Sequence, residues 1–184
     1  MIFLYTRFVK DPLTNGGMMM FVKINDFAKE WEEELKLTEK VMGALTDDSL
    51  SREVIPGRRT LGDIAWHLVL SPHYMTGCGL VFDGPAGGKE VPASAAVIAE
   101  EYGRISRALL EAVKTQWSDD SLLETVDMMG ESWANGVTLR FTLMHQAHHR
   151  GQMTVLMRQA GLRIPEVYGQ TYDSWIEAGM EPLK

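Results

Sequence analysis

Three of the five histidines in this 184-residue chain fall within five positions, as His145, His148 and His149, and Arg150 follows at once. Imidazoles at i and i+4 of a helix lie about 40° apart around its axis and one turn apart along it, so His145 and His149 can reach one ion together. A neutral ring nitrogen is a good ligand for a divalent transition metal. Three such nitrogens with a position left open make the donor set of catalytic zinc centres. His148 projects about 60° to the other side of His145, which suits a supporting or surface residue better than a ligand. The pair therefore needs a third nitrogen from elsewhere in the chain.

The segment that carries the pair, residues 138–160, has helical spacing and ends at Gly161, a residue suited to a left-handed helix terminus. Phe141, His145, His149, Gln152 and Leu156 share an arc of roughly 80°. This arc is expected to face the core, with Gln152 either positioning a bound water or bonding to backbone. Arg140, Ala147, Arg150, Thr154 and Arg158 fall largely on the other side. Arg150 accordingly reads as a surface ion-pairing residue, with an anionic substrate or a partner helix as its other possible contacts. Gly151, next to the pair, would allow close approach of a second subunit.

Upstream, residues 21–46 form a long amphipathic pattern through Phe21, Ile24, Phe27, Trp31, Leu35, Met42 and Leu45. A connector with the turn signal Pro56-Gly57 leads to a second helix over 60–81. Thr60 and Asp63 resemble its capping box, and Pro72 is expected to kink it or end its first half. His67 lies beside the apolar stripe of that helix and is the candidate third ligand. His73 competes with it, but it follows Pro72 and points to a different helical face. A Gly- and Pro-rich loop over 83–92 precedes a third helix over 93–116. Residues 122–137 lack helical periodicity and read as an extended arm or short hairpin, with Trp133 and Asn135-Gly136 as turn-region signals. A short tail helix is expected over 172–178. Four long helices and a tail imply an all-α four-helix bundle.

Composition narrows the function. A formal charge of −7 argues against nucleic acid as a partner, because phosphate affinity comes from clustered Lys and Arg. The 45% hydrophobic and 23% charged content is that of a globular protein, and no apolar run is long enough to span a bilayer. A single cysteine, Cys78, excludes an intramolecular disulfide and suits the cytoplasm. It reads as an inert buried thiol, since no adjacent base would activate it. Residues 1–17 read as an N-terminal extension, as from an upstream start, and residues 18–184 as one helical domain. Trp66 and Trp133 read as packing residues that could wall a pocket. The alternative to a metal is that His67, His145 and His149 are core-edge rings hydrogen-bonded to carboxylates.

The run H-Q-A-H-H-R-G-Q at 145–152, with A-W-H-L at 65–68 and the order of elements between them, resembles the DinB-like superfamily of four-helix-bundle metalloproteins. The resemblance covers roughly residues 21–161. It implies a divalent metal, zinc foremost with nickel or another transition ion as alternatives, held by His67, His145 and His149. It also implies a metal-dependent S-transferase that uses a low-molecular-weight thiol, such as bacillithiol or mycothiol, against a small electrophile. A hydrolase using metal-activated water, or a non-catalytic dimeric stress-related bundle, is the competing expectation. The family name does not imply DNA binding.

Overall fold

A computed structural model describes residues 20–128 and 130–182. The expected extension over 1–17 lies outside the described residues. The chain folds as an all-α bundle of four helices, α1 (Ile24–Gly43), α2 (Leu61–Leu70), α3 (Ala95–Gln116) and α4 (Asn135–Gln159). A two-stranded antiparallel arm, β1 (Thr125–Met128) and β2 (Glu131–Ala134), precedes α4, and a short α5 (Tyr172–Glu177) closes the tail.

Each boundary has a local cause. Thr60 caps α2, accepting the Asp63 N–H at 3.1 Å while the Asp63 carboxylate accepts the Thr60 N–H at 2.8 Å. Pro72 cannot continue the α2 hydrogen-bond ladder, so the chain tightens into a 3-10 segment over Ser71–Cys78. Helix α1 starts where the Ile24 N–H donates to the Asp119 carboxylate at 2.8 Å, and α3 starts where the Ala95 N–H donates to Asp47 at 2.7 Å. Two carboxylates thus satisfy helix N-termini far from them in sequence.

Helix α4 begins earlier than its periodicity indicates. Asn135 and Gly136 belong to its first turn, because the Asn135 side chain donates to the Ser121 carbonyl and its N–H to the Glu124 carbonyl. Gly136 is there to admit another strand of chain. The Phe21 N–H donates to the Gly136 carbonyl at 3.2 Å, and a Cβ on Gly136 would lie 2.1 Å from the Phe21 carbonyl oxygen.

Helices α1 and α2 each pack against both α3 and α4. One end of the core gathers Leu35, Met42, Leu61, Leu68, Tyr102 and Met157; the other gathers Phe27, Trp31, Met75, Leu109, Leu139 and Leu143. The Trp31 indole N–H inside this core donates to the Ser106 carbonyl at 3.0 Å, so its burial leaves no donor stranded. No described helix is long and apolar enough to cross a membrane.

Candidate metal centre

The packing of α2 on α4 brings His67 across from His145 and His149. The Nε2 atoms of His67 and His149 each lie 3.1 Å from His145 Nε2. The rings meet at 65° to 81°, so each turns an edge towards a common point instead of stacking. A tetrahedral ion with bonds of about 2.0–2.1 Å would hold its ligand nitrogens about 3.3 Å apart, and a 90° arrangement about 2.9 Å apart. The observed spacing falls between these. His73 is not part of the cluster; its ring packs on Phe82 instead. His148 is exposed beside the cluster.

Electrostatics favour neutral rings. Burial pushes the His67 imidazole down to about 4 and the His145 imidazole down to about 3, with neighbouring histidines and Arg59 adding to the effect. Burial also lowers His149, against a hydrogen bond to Gln152 that acts in the opposite direction. That bond sets a tautomer. Gln152 Oε1 lies 2.7 Å from His149 Nδ1 and its Nε2 lies 3.1 Å from His148 Nε2. Assigning the network this way makes His149 Nδ1 the donor and leaves its Nε2 lone pair facing the other two rings. Gln152 therefore orients a ring, a role that neither expectation for it named. A carboxylate-bonded set of core-edge histidines does not describe the cluster, because the ring nitrogens that face one another belong to the histidines alone. Among the described residues, the buried His145 Nδ1 has no hydrogen-bond partner.

The histidine arc sits at the margin of the core. The buried stripe of α4 runs through Leu139, Leu143, Gln146, Arg150, Met153 and Met157, and the histidines lie roughly 100° around from its centre. His67 and His145 are half-buried and Gln152 is exposed, so the cluster opens towards solvent. Phe141 lies 5.9 Å from the His145 ring, and Trp133, buried at the end of β2, lies edge-on to Phe141 at 5.5 Å. The arm thereby supplies an apolar wall beside the rings.

Arg150 corrects the expectation of a surface residue. It is 1% exposed, at the centre of the buried stripe, and donates to the Glu34 carboxylate at 2.5 Å and to Thr38 Oγ1 at 2.8 Å. Tyr168 from the tail bonds to both Arg150 and Glu34. Periodicity missed this because Phe141 and Leu156 make the histidine arc look like the core-facing side, which puts Arg150 across from it.

The comparisons agree with this architecture. The model of the DinB family matches residues 20–180. The uncharacterized protein YrdA of Bacillus subtilis (strain 168) is 45% identical over 166 residues, which is 90% of this chain and 99% of that protein. A crystal structure of a DinB-like protein from Bacillus cereus ATCC 10987 is 44% identical and superposes with a TM-score of 0.77, over 81% of this chain and 100% of that one. A second, the DinB-like protein YjoA of Bacillus subtilis, shares the fold at 17% identity with a TM-score of 0.62, over 80% and 100% of the two chains.

Proposed function

The chain belongs to the DinB family, and on that premise we propose that it binds one divalent metal ion through His67, His145 and His149 and activates a low-molecular-weight thiol for transfer to a small electrophile. The observation that carries this reading is the convergence of three Nε2 atoms, two of them 3.1 Å from the third, on rings that burial keeps neutral. A proton can be shared by only two of these nitrogens at a time, whereas one cation can take the lone pairs of all three. A bound ion would supply the positive charge that lowers the pKa of a thiol at the open position.

The chain's own residues divide the remaining work. His67, His145 and His149 hold the ion, and Gln152 keeps His149 in the tautomer that offers Nε2. Phe141 and Trp133 present an apolar surface on one side of the site, suited to the body of an electrophile. The thiol would have to come from outside. Cys78 is the only cysteine, and burial pushes its thiol up to about 11, far from a usable nucleophile at neutral pH.

Metal analysis of protein purified without added metal tests the reading. About one divalent ion per chain is expected, lost in His145→Ala and in His149→Ala. Full occupancy in both variants would overturn the site. Turnover of electrophiles only when a thiol is present is the expected activity; turnover without thiol would favour metal-dependent hydrolysis instead.

A further inference from the structure

Pro72 leaves one carbonyl of α2 without its helical partner. In an α-helix the Leu68 carbonyl accepts the N–H four residues on, and that residue is the proline, which has none. Gln146 of α4 takes the empty place: its Nε2 donates to the Leu68 carbonyl across a long 3.5 Å contact. Both ends of this contact adjoin the histidine cluster, Leu68 following His67 and Gln146 following His145. Among the described residues, and apart from the histidines themselves, no other side-chain hydrogen bond joins α2 to α4. Past the proline, the Tyr74 hydroxyl donates to the Thr138 carbonyl at 3.3 Å, so the chain is tied to α4 on either side of the break. His67 lies on the side that Gln146 holds.

Gln146 is 1% exposed, and among the described residues its Oε1 has no hydrogen-bond partner. The amide therefore satisfies the buried Leu68 carbonyl and strands its own oxygen. An apolar side chain of the same length would strand the carbonyl and nothing else. Either way one buried acceptor is left without a protein partner, so the bond adds little to stability. What it adds is direction. The rest of the packing of α2 on α4 is apolar, and such contacts do not by themselves fix how far one helix slides along another. A metal ligand needs that fixed, since its bond length is about 2.0–2.1 Å with a tolerance of about 0.2 Å.

We propose that Gln146 is a positioning residue of the metal centre, whose bond to the Leu68 carbonyl sets α2 along α4 and so places His67 Nε2 against His145 and His149. This rests on the metal-site reading given above.

Gln146→Met tests it, because methionine keeps the length of the side chain and removes the amide. Urea unfolding of the metal-free variant should stay close to that of the wild type, while competition with a chelator shows zinc affinity about tenfold weaker. With saturating cobalt(II), the visible absorption band should move from the wild-type form towards that of His67→Ala. Unchanged zinc affinity, or weaker affinity with a wild-type cobalt band, overturns the assignment, because Gln146 then does not act through His67. Should Gln146→Met fail to fold, the same variant with Pro72→Ala decides, since Pro72→Ala gives the Leu68 carbonyl a backbone N–H again. The cobalt band of that folded variant should still resemble that of His67→Ala; a wild-type band, or a fold lost in both variants, makes the role of Gln146 structural and overturns the proposal. Wild-type protein that binds neither ion overturns the metal-site reading and this assignment together.

Discussion

His149 and Arg150 are consecutive residues of α4, and they belong to two polar clusters of opposite character. On one side, His67, His145 and His149 place neutral rings with their nitrogens facing one another. On the other, Arg150, Glu34, Thr38 and Tyr168 form a closed set in which the guanidinium meets a carboxylate, a hydroxyl and a phenol. The first cluster is chemically incomplete and the second satisfies itself. A buried charge with its counter-charge in place holds helices in register, whereas convergent lone pairs call for a ligand. The adjacency also links the two: the ion pair with α1 fixes the rotation of α4, and that rotation aims His145 and His149 at α2.

The largest effect is expected on the closed side. Arg150→Ala strands Glu34 in the core, and urea denaturation should show a loss of about 3–5 kcal/mol whether metal is present or not. A loss below about 1 kcal/mol would mean that the cluster is as open as its neighbour. Metal should stabilise only through the other side. Adding zinc at a thousandfold excess over its dissociation constant should raise the unfolding free energy of stripped protein by about 4 kcal/mol, and His145→Ala should abolish that gain. A gain retained in the variant would place the ion elsewhere.

Gln152→Ala tests the tautomer assignment. Competition with a chelator should show metal affinity reduced by about 10- to 100-fold, with Arg150 and its partners undisturbed. The smallest effect is on pH dependence. The folded pKa values of His67 and His145 lie below the ordinary imidazole value, so between about 6.5 and those values the unfolded chain binds more protons. Stability of the metal-free protein should therefore be indifferent to these groups above pH 7 and fall as pH drops from about 6.5 towards 4 and then 3. In the His67→Gln, His145→Gln double variant, denaturation at pH 7 and pH 5 should show a smaller difference. An unchanged difference would assign the acid sensitivity to other groups.

Much of this was legible without coordinates. The capping box at Thr60, the interruption at Pro72, the arm before the last long helix and the left-handed Gly161 are local features, decided within a few residues, and the structure carries each of them. So was the pairing of His145 with His149, since their spacing fixes their separation in any α-helix. Asn135-Gly136 read wrongly for a physical reason. The pair favours a turn, but bonds to Ser121 and Glu124, and the passage of Phe21 over Gly136, enlist it into α4.

What the sequence alone determined is the set of elements and which side chains share a face of each helix, because periodicity is a property of a single helix. What only the tertiary structure decided is which way each face turns. Phe141 and Leu156 make the histidine arc look core-facing, but Glu34 on α1 makes burial of Arg150 tolerable, so the stripe of Leu139, Leu143, Met153 and Met157 takes the core and the arc lies at its edge. Glu34 and Arg150 are 116 residues apart, as are many partners that decide a helix's rotation, and no local pattern contains them both. The same rotation leaves His145 and His149 facing His67 of α2 at an opening within reach of solvent.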